Sequence, residues 1–192
     1  MEGTYVDVGA NHPSYISNTL LLYQRGWRGI NIDENPDLIK LHNSIRPRDK
    51  NVHAVVSDNE RNVIFTIAKN SAHSTLSTTF EKLLIKERGV EKQISVTSRT
   101  LTTILRERGC PMSFDLLTVD VEGHEYEVLS SLCFEEYHPR VIVCEMHEFD
   151  LLIPEKNCVY RLLKNNGYEL VAYAIWNGYF VKKEEFLQDV RT

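Results

Sequence analysis

Short apolar runs rich in β-branched residues alternate with helical patterns along most of the chain. The runs 4-TYVDV-8, 29-GINID-33 and 52-VHAVVS-57 have the length and composition of buried strands. Between them, apolar residues at helical spacing predict helices over 16–26 and 37–44. This alternation predicts parallel strands joined by helical crossovers.

The same alternation resumes after residue 98 and ends in a hairpin. The tail 168-YELVAYAIWNGYFVKK-183 contains Asn177-Gly178, a dipeptide common in tight turns, so we expect two antiparallel strands there. The class is therefore α/β, with a mostly parallel sheet, helices on both faces and a terminal antiparallel hairpin strand. The other predicted elements are helices over 100–108, 125–132 and 159–166 and strands over 114–120 and 140–145.

The pattern is interrupted between about residues 60 and 98. Here 63-VIFTIA-68 and 94-ISVTS-98 predict strands, separated by a polar stretch that includes 73-HSTLST-78 and by a short helix over 80–87. We interpret this region as an insertion or lid within a single domain covering 1–192. Because the first strand begins close to residue 1, we also expect the domain to belong to a longer polypeptide.

Acidic side chains follow each of the first five strands of the predicted parallel sheet. In such a sheet, ligands bind outside the carboxyl ends of the strands. The chain contains no G-x-G-x-x-G and no G-x-x-x-x-G-K-[ST], which are the usual motifs for binding pyrophosphate and triphosphate. An acid-lined crevice favours a cationic, hydroxyl-bearing cofactor, so S-adenosylmethionine fits better than NAD or ATP. The acids are Asp7, Asp33, Asp58, Asp120 and Glu145.

Composition excludes several partners. The 192 residues carry a net charge of −5, and the densest basic cluster, 46-RPRDK-50, is interpreted as a solvated turn. Nucleic acid is therefore not expected as a partner. No apolar run approaches the roughly 20 residues of a membrane span. The four cysteines form no C-x-x-C pair, which favours free thiols and a reducing, cytoplasmic location.

Three motifs resemble those of the FkbM family of S-adenosylmethionine-dependent O-methyltransferases. They are 5-YVDVGANHPSYISNT-19, 27-WRGINIDENP-36 and 115-DLLTVDVEGHEYEVLSSL-132. The resemblance implies the Rossmann-like class I methyltransferase fold with a seven-stranded sheet. It also implies methyl transfer to a sugar hydroxyl of a glycan or glycoside. Together with the first strand's start near residue 1, this makes a fused or associated glycosyltransferase an expected partner.

The resemblance also assigns residues to the cofactor. Asp33 would hold the ribose, and Asp120 would face both the sulfonium and the acceptor. His12-Pro13 departs from the family's usual glycine in this loop, and proline removes a backbone donor there. The methionine part would be surrounded by Asp7, Gly9, Ala10 and Asn11, and the adenine would lie near Ser57 and Asp58.

Methylation of a hydroxyl requires its proton to be removed, by a general base or with the help of a metal. His124 and His147 are the candidate bases. Asp120 and Glu145 end neighbouring strands and are the candidate ligands for Mg²⁺ or Mn²⁺. Aromatic residues of the terminal hairpin, such as Trp176, are expected to pack in the core rather than to bind sugar.

Two other functions fit less well. Enzymes that methylate exocyclic amines of nucleic acids usually carry an Asn/Asp-Pro-Pro-aromatic motif at the end of the fourth strand, where this chain has 120-DVEG-123. The acidic net charge also argues against amine methylation on nucleic acid or protein. The second alternative is a non-catalytic cofactor-binding or scaffold module of a glycan-assembly protein.

Overall fold

A computed structural model describes residues 2–68 and 90–183. The lid segment 73-HSTLST-78 and the helix predicted over 80–87 lie outside the described residues. Among the described residues, no helix has both the length and the apolar character needed to cross a bilayer.

The described elements follow the predicted alternation of strands and helices. A 3₁₀ turn at Pro154–Lys156 precedes the helix Cys158–Asn165. The strands are β1 (Thr4–Val8), β2 (Arg28–Asp33), β3 (Lys50–His53), β4 (Asn62–Ala68), β5 (Val90–Thr97), β6 (Ser113–Val119), β7 (His138–Glu145), β8 (Tyr168–Ala174) and β9 (Asn177–Lys182). The helices are α1 (Leu20–Gln24), α2 (Pro36–Ile45), α3 (Leu101–Glu107), α4 (Glu125–Ser130) and α5 (Cys158–Asn165).

Seven strands form one sheet in the order β3-β2-β1-β6-β7-β9-β8. The pairs from β3 through to β7 are parallel, whereas β9 pairs antiparallel with both β7 and β8. The predicted α/β class and terminal antiparallel hairpin are thereby confirmed. The chain runs outward from β1 to β3 and then returns to the other side of β1 as β6. The crevice between β1 and β6 is thus the switch point at which such sheets bind ligands.

Burial on both faces explains the apolar composition of the central strands. Tyr5, Val6 and Val8 of β1 are at most 2% exposed. In α3, Leu101 and Leu105 are four residues apart, lie on one face of the helix and are fully buried. The core thus anchors the strand ends that carry the acids.

Side-chain caps set the starts of three helices. The Asn35 side chain accepts a hydrogen bond from the Asp37 N–H at 2.9 Å, and Pro36 occupies the first turn of α2. Thr100 caps α3, and Asn157 caps α5. These local signals account for the good agreement between predicted and observed helix starts at these positions.

The predicted insertion is partly described. β4 and β5 pair with each other in an antiparallel sheet separate from the main sheet. An isolated parallel bridge between Val56 and Arg99 links the base of this pair to the chain that leaves β3.

The third strand is shorter than predicted and begins earlier, at Lys50–His53 rather than over 52–57. Residues 54–57 are buried, and the Ala54 N–H still donates to the Asp33 carbonyl of β2, but the backbone after Ala54 bonds to Arg99. The Ser57 N–H donates to the Arg99 carbonyl at 2.9 Å, and the Arg99 N–H donates to Val55 at 2.8 Å. The apolar run over 52–57 therefore predicts burial correctly. The strand β3 nevertheless ends at His53, because the backbone of Val55 and Ser57 bonds to Arg99.

The hairpin turn, predicted around Trp176-Asn177-Gly178, lies slightly earlier in the chain. β8 ends at Ala174 and β9 starts at Asn177, so Ile175 and Trp176 form the turn and the Asn-Gly dipeptide lies in the strand. Gly178 pairs with Cys144 of β7, and a Cβ on Gly178 would lie 2.5 Å from the Met146 side chain. Pairing with β7 thus places the Asn-Gly dipeptide inside the strand, where the Met146 and Phe180 side chains pack closely over Gly178.

The interpretation of 46-RPRDK-50 as a solvated turn was wrong for two of its residues, although Pro47, Arg48 and Lys50 are exposed. Arg46 is fully buried and Asp49 is 8% exposed. Asp49 accepts hydrogen bonds from the Tyr5 hydroxyl at 2.5 Å, the Gly29 N–H at 2.9 Å and the Asn31 amide at 3.0 Å. Partners from β1 and β2 compensate the burial of this charge.

Candidate active site

The loop after β1 passes very close to the end of β6. Gly9 has a φ of +77°, and a Cβ there would lie 1.8 Å from the Asp120 carbonyl oxygen. The Gly9 and Ala10 N–H groups both donate to the Ile32 carbonyl, at 3.0 and 3.1 Å. The loop is thus held between the ends of β2 and β6, and only glycine fits at its first position.

Asp33 at the end of β2 shapes the same loop. Its carboxylate is 4% exposed and accepts the Asn11 N–H on one oxygen and the Asn35 N–H on the other, both at 2.8 Å. Each carboxylate oxygen can accept a further hydrogen bond, so hydroxyls of a ligand can still bind there. Burial raises the pKa of Asp33.

Glu34 lies beside Asp33 and was not singled out from the sequence. Burial raises its pKa to about 8, and the neighbouring Asp33 charge acts in the same direction. The two carboxyl groups form a pair that would gain from hydrogen-bond donors such as the two hydroxyls of a ribose. The 33-DENP-36 motif contained this signal, because its two acids are adjacent.

A buried network ties Asp7 to α2. The Thr19 hydroxyl donates to Asp7 Oδ2 at 2.6 Å and accepts a hydrogen bond from Arg46 Nη1 at 2.8 Å. Arg46 also donates to the Pro13 carbonyl and to the Ser17 hydroxyl. The loop departs from the family pattern at His12-Pro13, where proline has no N–H group. It is anchored through the Pro13 carbonyl group, which accepts from Arg46.

Asp7 has one unused acceptor. The residue is only 1% exposed, and its buried Oδ1 atom has no hydrogen-bond partner among the described residues. Burial raises the pKa of Asp7 to about 7, against the opposing effects of Thr19 and Arg46, and the charges of Asp120 and Asp33 raise it further. A cationic hydrogen-bond donor next to Oδ1 would offset the free-energy cost of burying this unpaired oxygen.

His124 lies with Ser57, on the side predicted to face adenine. Its Nε2 is 3.0 Å from the fully buried Ser57 hydroxyl, and its Nδ1 is 3.4 Å from a Glu127 oxygen. Burial lowers the pKa of His124. Ser57 also donates to Asp58 at 3.1 Å. These contacts engage both ring nitrogens of His124.

The ends of β6 and β7 bring together Glu122, Glu145 and His147. One ligand atom from each lies within 4.8 Å of those of the other two. His147 Nε2 is 2.8 Å from Glu145 Oε2. Burial raises the pKa of Glu145, with Asp120 adding to the effect and His147 opposing it. Glu122 was not among the ligands predicted from the sequence, which were Asp120 and Glu145.

Asp120 lies between the two halves of the site. Its backbone N–H donates to the Val8 carbonyl at 3.0 Å, which joins the ends of β6 and β1. Its charge raises the pKa of Asp7 on one side and of Glu145 on the other. Asp120 therefore lies close enough to act electrostatically on Asp7 on one side and on Glu145 of the Glu145–His147 pair on the other.

The topology and the acid-lined switch point define the class: a Rossmann-like α/β fold of the class I methyltransferase type. A family model described as the methyltransferase FkbM domain matches residues 7–170. The chain therefore belongs to the FkbM methyltransferase family, which confirms the resemblance seen in its three motifs.

Among solved structures, the chain is similar to methyltransferase FkbM from Methylobacillus flagellatus KT, with a TM-score of 0.56 and 12% identity. The alignment covers 94% of this chain and 43% of that one, so the chain spans less than half of that relative's length. This likeness supports the fold.

Two further structures align less well. A TehB-like SAM-dependent methyltransferase from Corynebacterium glutamicum has a TM-score of 0.45 at 11% identity, covering 94% of this chain and 80% of that one. Precorrin-6y C5,15-methyltransferase from Geobacter metallireducens GS-15 has a TM-score of 0.43 at 12% identity, covering 94% and 78%. A search of curated proteins gave no match.

Proposed function

We propose that this chain binds S-adenosylmethionine between the ends of β1, β2 and β6 and transfers its methyl group to a sugar hydroxyl of a glycan or glycoside. The observation that carries the proposal is the close approach of the loop after β1 to the end of β6 at Asp120, with the buried Asp7 carboxylate on β1 and the Glu145–His147 pair at the end of the neighbouring β7. Family membership supports methyl transfer, and the acid-lined acceptor side supports a hydroxyl-rich acceptor.

The residues present fit the cofactor. The buried Oδ1 of Asp7 needs a donor, and the ammonium group of the methionine part would supply one. Asp33 and Glu34 would accept hydrogen bonds from the ribose hydroxyls, and Ser57 and Asp58 would border the adenine. S-adenosylmethionine supplies a methyl carbon on a sulfonium sulfur, which keeps the bonding electron pair when the carbon–sulfur bond breaks.

The Glu145–His147 pair would handle the acceptor proton. An alcohol is a weak nucleophile at neutral pH, so a base is needed as its oxygen attacks. The carboxylate of Glu145, 2.8 Å from His147 Nε2, would orient the imidazole and stabilise its protonated form. Asp120 would add negative charge close to the sulfonium. His124, held by Ser57, would position the adenine side instead of acting as the base.

The donor set of Glu122, Glu145 and His147 also fits a divalent cation such as Mg²⁺ or Mn²⁺, because two carboxylates and an imidazole converge. Such an ion would polarise the acceptor hydroxyl and lower its pKa. We propose this trio, in place of Asp120 with Glu145, as the ligands to test.

A calorimetric titration with S-adenosylhomocysteine, with and without Mg²⁺ or Mn²⁺, tests the proposal. We expect micromolar binding that Asp33→Asn weakens at least roughly tenfold, since it removes a buried charged acceptor. Asp120→Asn should slow transfer more than it weakens binding. A metal-binding heat lost in Glu122→Gln would identify the cation site. No binding under any condition would sink the methyltransferase proposal.

The non-catalytic alternative predicts a different result. A scaffold module would bind S-adenosylhomocysteine yet transfer no methyl group to any acceptor, even with a glycosyltransferase partner present. The expected cytoplasmic location and the association with a glycosyltransferase belong to the same proposal. Co-purification with such an enzyme from a reducing extract would support them.

A further inference from the structure

The two-residue turn between β8 and β9 holds two bulky residues in a backbone conformation that they rarely adopt. Both of its residues have positive φ angles, +47° at Ile175 and +67° at Trp176. Such turns normally use asparagine or glycine, and a β-branched residue is rare in this conformation. Backbone strain of this kind collects at functional sites, where the surrounding structure holds it in place.

The turn is fastened to the segment that carries the acid–imidazole pair. The Met146 N–H donates to the Trp176 carbonyl at 2.6 Å, and the Tyr173 hydroxyl donates to the Met146 carbonyl at 3.0 Å. Met146 lies between Glu145 and His147 in the chain. Both of its backbone polar groups therefore bond to the hairpin, and the turn has a defined position relative to those two side chains.

The indole of Trp176 is exposed beside His147. The two ring centroids are 5.6 Å apart with the planes tilted by 43°, and Trp176 is 58% exposed. The expectation that this aromatic packs in the core was wrong. By contrast, Trp27 packs against Gly3 just before β1, at the opposite end of the strands.

An exposed aromatic face next to carboxylate acceptors suits one chemical class well. A pyranose ring presents C–H groups on its faces, which pack on indole, and hydroxyls at its edge, which carboxylates accept. Glu122 and Glu145 supply those acceptors on the same side of the site as His147. A cationic amine would use the same groups differently, through cation–π contact and ion pairing.

We propose that Trp176 is the platform for the acceptor sugar and places one of its hydroxyls at the Glu145–His147 pair. This inference rests on the proposed function and adds to it a residue that determines acceptor binding. Held by the Met146 contacts, Trp176 binds the face of the ring while the carboxylates bind its edge. It contributes to acceptor affinity and makes no contact with the cofactor.

The chain has two tryptophans, so Trp27→Phe leaves Trp176 as the sole indole reporter. With S-adenosylhomocysteine bound, a panel of methyl glycopyranosides and, separately, of simple primary and quaternary amines is titrated while Trp176 fluorescence is followed. We expect a saturable change with at least one member. Absence of any change across the panel overturns the platform, and a change seen only with quaternary or primary amines assigns an amine acceptor instead.

Kinetics with the glycoside that responds best provide the second readout. Trp176→Ala should raise the acceptor KM roughly tenfold or more with little change in kcat, and Trp176→Phe should restore most of the affinity. Ile175→Asn, in the same turn, is the matched control and should leave the acceptor KM unchanged. Equal KM values for Trp176→Ala and the wild type contradict the proposal.

Calorimetry separates this inference from the proposed function. Each variant is titrated with S-adenosylhomocysteine, and its affinity should match that of the wild type. If the wild type itself does not bind, the proposed function fails. If the wild type binds S-adenosylhomocysteine but no glycoside changes the Trp176 fluorescence, only the proposed role of Trp176 as a sugar platform is refuted.

Discussion

Asp7 gives the sharpest test of how a buried carboxyl group in the site makes the stability of the fold depend on pH. Its carboxyl group has an ordinary pKa of 3.8, and burial raises this pKa to about 7 in the fold. The folded state therefore binds the proton more tightly than the unfolded state. Stability is greatest below the unfolded pKa and falls as pH rises toward the folded pKa. The full difference in pKa corresponds to about 4 kcal/mol.

Asp7→Asn replaces the titrating carboxyl with a neutral group of the same shape. From about pH 5 to about pH 8, wild-type stability should fall by roughly 2 to 3 kcal/mol relative to the variant. Urea unfolding at each pH, without ligand, measures this difference. The titration of other buried acids, such as Glu125, cancels because both proteins contain them.

Asp58→Asn is the control for losing one negative charge at a strand end, since Asp58 is exposed. If the difference in stability between Asp7→Asn and the wild type does not change with pH, Asp7 is not titrating as the structure predicts. Asp7→Asn should also bind S-adenosylhomocysteine more weakly than the wild type, because the amide is a poorer acceptor for an ammonium group than the carboxylate. Unchanged affinity would remove Asp7 from the proposed cofactor site.

Two further substitutions probe the frame of the site. Gly9→Ala should destabilise the fold by more than about 3 kcal/mol or prevent folding, because its Cβ would overlap the Asp120 carbonyl and φ is +77°; an unchanged melting temperature would contradict this. Arg46→Met should cost roughly 2 to 5 kcal/mol in urea unfolding, since hydroxyl and carbonyl partners of a buried guanidinium lose their donor. The neighbouring Arg48→Met, at an exposed position where the guanidinium stacks on Tyr23, should cost no more than about 1 kcal/mol.

Local patterns in the sequence predicted most of the frame. The order of strands and helices follows from apolar runs and helical spacing, and caps such as Thr100 and Asn157 are readable from neighbouring residues. The acids at the strand ends could be predicted as a group, because parallel strands bring their carboxyl ends to one edge of the sheet.

The errors occurred where distant residues decide the outcome. Arg46 lies in a short, highly charged stretch typical of a surface turn, and only the chain at Pro13 and Thr19 gives it buried partners. The Asn-Gly dipeptide favours a turn locally. Pairing with β7 overrides it, because Asn177 and Gly178 join the ladder opposite Glu145 and Cys144.

The sequence by itself determined the fold class and the set of acids at the ligand-binding edge, since both follow from short-range patterns repeated along the chain. Only the tertiary structure decided which side chains act together. Glu122 joins Glu145 and His147, His124 contacts Ser57, and Trp176 is exposed beside the acceptor side. These groupings depend on strand register and loop approach, which arise from contacts between residues far apart in the chain.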